Sequence, residues 1–406
     1  MNINDERLWQ TLMHSATIGP GVAGGLSRLT LTEADGAMRR TFASWAADAG
    51  LQTTVDAAGN MFVRLGGAMD GPPVLIGSHL DTQVAGGRFD GILGVLAGLE
   101  ILKTLKENDV APTRPIEVVN FTNEEGARFS PPMMASAVFA GVETLDWLYA
   151  RTDRDGVRYG DALAAIGFCG EAPVGKPADA YFELHIEQGP ELYDEGLDLG
   201  IVTGAFAVRG ITATFHGETA HTGPTPMARR KNALVAAAIA AAAVDEIGRA
   251  HAPIGKATVA RLTAWPNTPG ILSSEASLTV DARHADPFVA DTMRDKMLLA
   301  LAQAAEKANV TLKIAAEWRF GDERFDQGMM ENLRAAATAR GATHKDMLSQ
   351  AGHDAYYVSR VAPTAILFCP CVDGVTHNEA EDVPRPAVTK AANVLLDAVL
   401  ARANRP

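Results

Sequence analysis

Four short apolar runs, each followed by polar or glycine-rich residues, constrain the fold of this chain most. The runs begin the segments VLIGSHLD, EVVNFTNEEG, YFELHIEQG and AILFCPCVDGVTHNE. A short apolar run that ends in such a turn is typical of a buried strand that leads into a loop. Open α/β sheets bind their ligands beyond the carboxyl ends of such strands. The pattern therefore predicts a site at one edge of a sheet.

Strands and helices alternate along much of the chain. Strands are predicted at 74–77, 116–121, 181–186 and 364–369. A helix is predicted at 91–107, with one apolar face formed by Ile92, Leu93, Leu96, Leu99 and Leu102. Residues 5–50 are expected to be helical, and a hairpin is expected from Thr53–Ala57 and Met61–Leu65 around Gly59–Asn60. This alternation predicts a largely parallel sheet that is covered on both faces.

The pattern changes near residue 205. Strands at 207–216 and 275–283 bracket a helix at 228–250, and a helix at 287–308 and a strand at 310–315 follow. The sequence thus predicts the α/β fold class, with a mostly parallel-sheet domain at 1–206 and 320–406. A smaller α+β domain is expected to be inserted at 207–319.

His79, Asp81 and Asp90 carry groups that bind metals well, in the segment HLDTQVAGGRFDG. Gly86 and Gly87 let the loop turn back, so that Asp90 can reach the centre that His79 faces. One carboxylate that bridges two cations would lower the repulsion between them. Asp81 is better placed to orient His79 by a hydrogen bond than to bind a metal.

Two further features add to this set: the adjacent pair Glu124 and Glu125, and the histidines His185 and His377. Adjacent side chains diverge in an extended segment, so one glutamate is expected to bind metal and the other to act as a general base. An acidic pair is commonly a solvated turn and a single histidine is commonly structural, but their joint placement after buried strands favours a metal centre. Imidazole and carboxylate ligands suit Zn²⁺, Mn²⁺, Co²⁺ or Ni²⁺ better than Ca²⁺ or Mg²⁺.

Charge and composition disfavour several other classes of protein. The net charge of −13 and the lack of a basic stripe argue against a nucleic-acid partner. The Ala-rich run from Ala233 to Val244 is too short to cross a bilayer, and the amino terminus does not resemble a signal peptide, so no membrane association is expected. Three cysteines suggest a reducing cytoplasm, and Cys369 and Cys371 are expected to be small buried side chains.

Seven segments of the chain resemble, in order, those of one enzyme group. They are GSHLDTQVAGGRFDG, NFTNEEGARF, ELHIEQGP, HTGPTPMARRKNA, DARHAD, AGHDA and THNEAED. The chain resembles the dinuclear-metal amidohydrolases of the aminoacylase and carboxypeptidase superfamily. Within them it is most similar to the group of N-carbamoyl-L-amino acid hydrolases, allantoate amidohydrolases and β-ureidopropionases. The resemblance extends over nearly the whole chain.

The resemblance implies a role for each matching residue. His79 and His185 would bind one metal, Asp90 would bridge, and Glu125 and His377 would complete the second site. Glu124 would be the general base, Asp81 the supporting carboxylate, and His221 the residue that stabilises the oxyanion. Arg283 and Gln188 would contact substrate, and His216 is expected to be structural. The inserted domain would be a lid that pairs edge to edge in a homodimer, so that His221 could act across it.

Two positions depart from the carbamoyl-amino-acid hydrolases. Gly270 stands where these enzymes usually carry Asn, although Asn267 lies nearby, and Gln350 stands where they usually carry Gly. Both positions face substrate in the family.

The expected reaction is hydrolysis of a linear ureido or amide bond, by a metal-bridged hydroxide, in a carboxylated small molecule such as an N-carbamoyl amino acid. Two divalent ions are expected, with Zn²⁺ favoured over Mn²⁺, Co²⁺ or Ni²⁺. Allantoate, ureidoglycolate or β-ureidopropionate hydrolysis, an N-acyl-amino-acid deacylase or dipeptidase, and a non-catalytic binding homologue are the alternatives.

Overall fold

The four apolar runs form neighbouring strands at the centre of an eight-stranded sheet in a computed structural model, which describes residues 1–405. The strands of the described residues are β1 (Gln52–Val55), β2 (Met61–Leu65), β3 (Val74–His79), β4 (Ile116–Phe121), β5 (Ala180–Ile186), β6 (Leu199–Ala205), β7 (Ala207–His216), β8 (Lys256–Trp265), β9 (Glu275–His284), β10 (Thr311–Phe320), β11 (His344–Ser349) and β12 (Thr364–Cys369). The large sheet has the order β1-β2-β4-β3-β5-β12-β6-β11.

The central strands β4, β3, β5 and β12 run parallel, whereas β1, β2 and β6 pair antiparallel with their neighbours. Every residue of these four central strands is buried, as expected for parallel strands covered on both faces. The predicted fold class is confirmed, and the antiparallel pairings lie on either side of the parallel centre.

Twelve α-helices accompany the strands in the described residues. They are α1 (Asp5–Ser15), α2 (Glu33–Asp48), α3 (Ile92–Glu107), α4 (Met134–Phe139), α5 (Leu145–Tyr149), α6 (Tyr159–Ala165), α7 (Glu191–Glu195), α8 (Ala233–His251), α9 (Pro287–Lys307), α10 (Gln327–Ala339), α11 (Ala355–Val358) and α12 (Arg385–Ala403), with short 3₁₀ turns at Met227–Arg229 and Val372–Gly374. None has the length and apolar character needed to cross a bilayer.

The helix α3 is buried nearly all round, which corrects the prediction of a single apolar face. Gly94, Val95, Ala97 and Ile101 are buried as well as the predicted leucines. The helix packs against β3, β4 and β5 and also against α1 and α12, so little of its surface reaches water.

The expectation of continuous helix from residue 5 to 50 is wrong in its middle. Helices α1 and α2 are separated by an irregular segment at 16–32, which contains the bridges of Pro20 with Leu26 and of Leu26 with Gly86. Helix α1 ends at Ser15, and Gly19, with φ +73°, and Pro20, which lacks a backbone donor, disfavour helix in the segment that follows.

The chain divides into two compact units, Gly204–Asp322 and the remainder, whereas the sequence predicted an inserted domain at 207–319. The second unit has an antiparallel sheet of order β10-β7-β9-β8, on which α8 and α9 pack through an apolar core. Strand β8 was not predicted, because its many exposed residues show little apolar alternation. The roles of catalytic domain and lid stay predictions.

Candidate metal centre

The predicted ligands of the first unit gather at the carboxyl ends of the central strands. His79 is the last residue of β3, and His185 lies next to the last residue of β5. Glu124 and Glu125 follow β4, and His377 follows β12. Parallel strands bring residues that are far apart in sequence to one edge of a sheet, and this edge carries the site.

His79, His185 and Asp90 form the first group of potential ligands. All three are buried, and one ligand atom from each lies within 4.8 Å of the others. The Nε2 atom of His185 lies 3.2 Å from Oδ1 of Asp90, and the Nε2 atom of His79 lies 4.0 Å from the same oxygen. The Nδ1 atom of His185 lies 2.9 Å from the carbonyl oxygen of Ile186, and the Nδ1 atom of His79 lies 2.9 Å from the carbonyl oxygen of Asp81. These contacts fix the rings so that both Nε2 atoms face the centre.

Asp90, Glu125 and His377 form the second group. His377 Nε2 lies 3.3 Å from Oδ2 of Asp90 and 3.3 Å from Oε2 of Glu125. Gln83 Nε2 donates to Glu125 Oε2 at 2.8 Å, which holds this carboxylate in place. His377 is half-exposed, so this group faces the outside more than the first.

Asp90 joins the two groups, because its two oxygens face different histidines. Oδ1 faces His185, and Oδ2 faces His377. Oδ2 also accepts hydrogen bonds from Gln188 Nε2 at 2.9 Å and from the Thr376 hydroxyl at 3.1 Å. Gln188, predicted to contact substrate, thus supports the shared carboxylate. A carboxylate between two sets of imidazole and carboxylate donors fits a pair of divalent cations of the zinc type.

Asp81 does not orient His79 through its carboxylate. Its carbonyl oxygen makes that contact, while the carboxylate accepts from the backbone N–H groups of Glu124 and Glu125 at 3.3 and 3.4 Å. Asp81 therefore positions the His79 ring through its carbonyl oxygen and the backbone of the two glutamates through its carboxylate.

Glu124 and Glu125 diverge, as their adjacency predicts. Glu124 Oε2 lies 3.5 Å from Nε2 of His79, on the side of the first group, whereas Glu125 turns towards His377. Glu124 is buried and forms part of neither candidate ligand group, which leaves it free to exchange a proton.

The concentration of buried carboxylates shifts the pKa of each group. Burial, together with nearby carboxylates, raises the pKa of Glu125 to about 8 and that of Glu124 well above its ordinary value. Burial lowers the pKa of His79 to about 4. Burial also disfavours charged His185 and His377, but the adjacent Asp90 outweighs it and raises the pKa of each to about 9.

Several residues around the centre have positive φ angles, which residues other than glycine rarely adopt. Asn123, Gln188 and His377 have φ of +63°, +60° and +49°. Gly91 has φ +68°, and a Cβ there would lie 2.1 Å from His79 Nε2, so only glycine lets this ring approach. Such positions persist where surrounding contacts over-determine them, and they cluster at functional sites.

A third group, Glu183, His185 and His353, satisfies the same distance criterion but is already hydrogen-bonded. Glu183 accepts from the Ser78 and Tyr181 hydroxyls and from the Ala355 N–H. We interpret this group as a buried support behind His185, whose ring packs edge-on against that of His353 at 4.5 Å. This supporting role was not predicted from the sequence, although the AGHDA segment contains His353.

The chain matches a known protein family over most of its length. The profile of peptidase family M20/M25/M40 matches residues 75–401. The chain belongs to this family. An N-carbamoyl-L-amino-acid amidohydrolase of Rhizobium meliloti is 45% identical over 98% of this chain and 96% of that protein. The allantoate amidohydrolase of Escherichia coli is 31% identical over 92% of each chain.

The solved structures include a hydantoinase/carbamoylase family amidase of Burkholderia vietnamiensis. It is 44% identical, matches with a TM-score of 0.95, and the match covers 100% of this chain and 98% of that one. The family and the ligand groups together support metal dependence for this M20 member.

The remaining predicted residues do not join the ligand groups. His221, Asn267, Gly270 and Arg283 belong to the second unit, and Gln350 follows β11 in the first. Within the second unit, His221 pairs with Ile271 in an isolated bridge, and the Gly270 carbonyl accepts from the N–H of Thr222 at 3.2 Å. His216 ends β7 and lies 3.5 Å from Glu275, a contact within the sheet. The roles of these residues stay predictions.

Metal affinity should fall as pH falls. His185, His377 and Glu125 have pKa values above 7 in the metal-free chain, so each holds a proton at pH 7 that ligation must remove. Each released proton weakens binding by up to about tenfold per pH unit below the pKa. Calorimetric titration of the metal-free protein with Zn²⁺, in buffers of different ionisation enthalpy, should show proton release at pH 7. Binding without release, and with constant affinity from pH 6 to 9, would contradict this assignment.

Glu124 and Glu125 should separate by role. Glu124→Gln keeps the side-chain shape, so metal content should stay while kcat falls by roughly 10²–10⁴. Glu125→Gln removes a carboxylate that faces His377, so it should reduce metal content. Metal analysis beside kinetics distinguishes the two. Equal loss of metal in both variants would show that the division of labour is wrong.

Proposed function

We propose that this chain is a metal-dependent hydrolase that cleaves the linear ureido bond of an N-carbamoyl amino acid. The observation that carries the proposal is the shared carboxylate of Asp90 between two ligand groups, with Glu124 beside them. The names of its relatives, an N-carbamoyl-L-amino-acid amidohydrolase and an allantoate amidohydrolase, support a substrate of this kind. We further propose that two ions occupy the groups and that Zn²⁺ is favoured over Mn²⁺, Co²⁺ or Ni²⁺.

Glu124 is the group that moves the proton. Two bound cations would supply Lewis acidity, which lowers the pKa of water and polarises the scissile carbonyl. Glu124 accepts the proton of the attacking water and returns it to the leaving nitrogen. Burial raises its pKa, so the carboxylate takes up this proton readily. A carbamoyl substrate would yield an amino acid, ammonia and carbon dioxide.

His221 is proposed to stabilise the oxyanion, and its ring is in the tautomer that this role needs. The Gly223 N–H donates to His221 Nδ1 at 3.0 Å, so the neutral ring carries its proton on Nε2. The side chain is exposed, which leaves Nε2–H available to an oxygen of the substrate.

Arg283 is proposed to bind the substrate carboxylate. Its Nε donates to Asp281 at 3.1 Å, which orients a guanidinium that lies partly exposed on β9. A guanidinium can bind a carboxylate with two parallel N–H donors. The departures at Gly270 and Gln350 are proposed to alter substrate preference, with Gln188 and Asn267 as further polar groups. A Cβ at Gly270 would meet no atom within 4 Å, but Gly270 adopts φ +90°, a backbone conformation that would strain the Asn of the related enzymes.

A homodimer through the second unit is also proposed. Strand β8 lies at the edge of its sheet, and Leu262 and Trp265 on it are exposed. An exposed edge strand readily pairs with its twin about a two-fold axis. A cytoplasmic location is proposed from the three cysteines, all unpaired; Cys369 and Cys371 are buried as predicted.

Turnover of a substrate panel tests the function directly. The panel contains N-carbamoyl-L-amino acids, N-carbamoyl-β-alanine, allantoate, ureidoglycolate and N-acetyl amino acids, each with metal-reconstituted protein. N-carbamoyl-L-amino acids should give the highest kcat/KM, and Arg283→Lys should raise KM for them far more than for a neutral amide analogue. A preference for N-acetyl amino acids would overturn the proposed reaction, and an equal effect of Arg283→Lys on both substrates would place the carboxylate anchor elsewhere.

Activity should recover when two inactive variants are mixed, if His221 acts across a dimer. A heterodimer of His221→Ala and Glu124→Gln chains contains one site with both residues intact. The measurement is specific activity after chain exchange, with each variant alone as control. Exchange shown by mass spectrometry without recovery would mean that His221 serves its own subunit or has no catalytic role.

A further inference from the structure

Glu381 is a fully buried carboxylate that belongs to neither ligand group. It lies four residues after His377, and its Oε1 atom accepts hydrogen bonds from the backbone N–H groups of Phe89 and Asp90, at 2.9 and 3.1 Å. Phe89 and Asp90 are almost 300 residues away in sequence. Glu381 therefore fastens the backbone of the shared ligand Asp90 to the loop that carries His377.

The other oxygen of Glu381 reaches the same centre through a side chain. The hydroxyl of Thr376 lies 3.1 Å from Glu381 Oε2 and 3.1 Å from Asp90 Oδ2. Its single proton can serve only one of these oxygens at a time. Thr376, which precedes His377, thus lies between the carboxylates of Glu381 and Asp90 and links them.

Gly87 provides the space that Glu381 occupies. A Cβ at Gly87 would lie 1.9 Å from the carboxyl carbon of Glu381, a distance that no real contact allows. The glycine is needed here because a side chain at this position would displace the Glu381 carboxylate.

We propose that Glu381 is a positioning residue that holds Asp90 and His377 in register and thereby sets the affinity of the second ligand group for its cation. The inference rests on the metal centre of the proposed function. The second group depends on this contact most, because Glu381 contacts its member Asp90 directly and Thr376, the residue next to its member His377. Groups that hold metal ligands in place typically contribute 10–100-fold in metal affinity.

The test uses the full-length chain, stripped of metal and titrated with Zn²⁺. Here the first and second binding steps mean binding of the ion at the first and at the second ligand group. Glu381→Ala should weaken the second step by roughly 10–100-fold and the first step much less. Glu381→Gln should recover most of the affinity, because its oxygen still accepts both N–H groups and its amide donates to Thr376. Glu100→Ala is the matched control: Glu100 is also buried, and it accepts from Arg7, Thr104 and the Asn4 N–H.

Gly87→Ala provides a second route if Glu381→Ala folds poorly. It should weaken the second step like Glu381→Ala. The double variant should bind metal no worse than Glu381→Ala, because truncation of the glutamate removes the clash. Additive losses in the double variant would overturn the proposal.

Two further outcomes would overturn it. One is wild-type binding of both ions by Glu381→Ala. The other is that Glu381→Ala and Glu100→Ala each weaken both binding steps equally, and that the size of the weakening follows the loss in Tm of each variant. That result would indicate a general structural role. The titration needs no substrate, so a failed substrate panel with an intact titration pattern would refute the proposed reaction alone.

Discussion

The repulsion between buried carboxylates is the constraint on which the rest of this site depends. Asp81, Asp90, Glu124 and Glu125 are gathered at one strand edge with little access to water. Like charges in a medium of low dielectric repel strongly, and burial alone raises the pKa of a carboxyl group. In the metal-free chain, protons on Glu125, His185 and His377, whose pKa values are raised to about 8, 9 and 9, relieve this repulsion. Divalent cations would relieve it by replacing those protons, which is why the same groups are suited to bind metal.

Main-chain N–H groups compensate for much of the negative charge that remains. Asp81 accepts from the N–H groups of Glu124 and Glu125, Glu381 from those of Phe89 and Asp90, and Glu379 from those of Val22, Ala23 and Gly25. Each carboxylate thereby fixes the backbone of a different loop. The loops converge on one edge because the parallel strands end there, so the sheet, the loops and the ligands form one connected arrangement. A buried carboxylate with such donors is stable where an unpaired one would be costly.

The groups proposed for the chemistry and most of those proposed for substrate recognition lie in different units of the chain. The ligands and Glu124 lie in the first unit, where their geometry is defined by the central strands and by α3. The groups proposed to read the substrate, His221 and Arg283, lie on the second unit, as do Asn267 and Gly270. Relatives of this chain bear names with different ureido substrates, which is consistent with a constant metal centre and variable recognition.

The sequence by itself determined the buried central strands, the fold class and the residue types of the ligand groups, because continuous apolar runs and histidine–carboxylate segments are local patterns. Only the tertiary structure decided which atoms meet. The carbonyl rather than the carboxylate of Asp81 orients His79, Gln188 donates to Asp90, and Glu381 reaches back to Phe89 and Asp90. The exposed strand β8 and the break between α1 and α2 likewise escaped prediction. Such contacts join segments up to almost 300 residues apart, and their geometry follows from strand register and loop path, which no local pattern encodes.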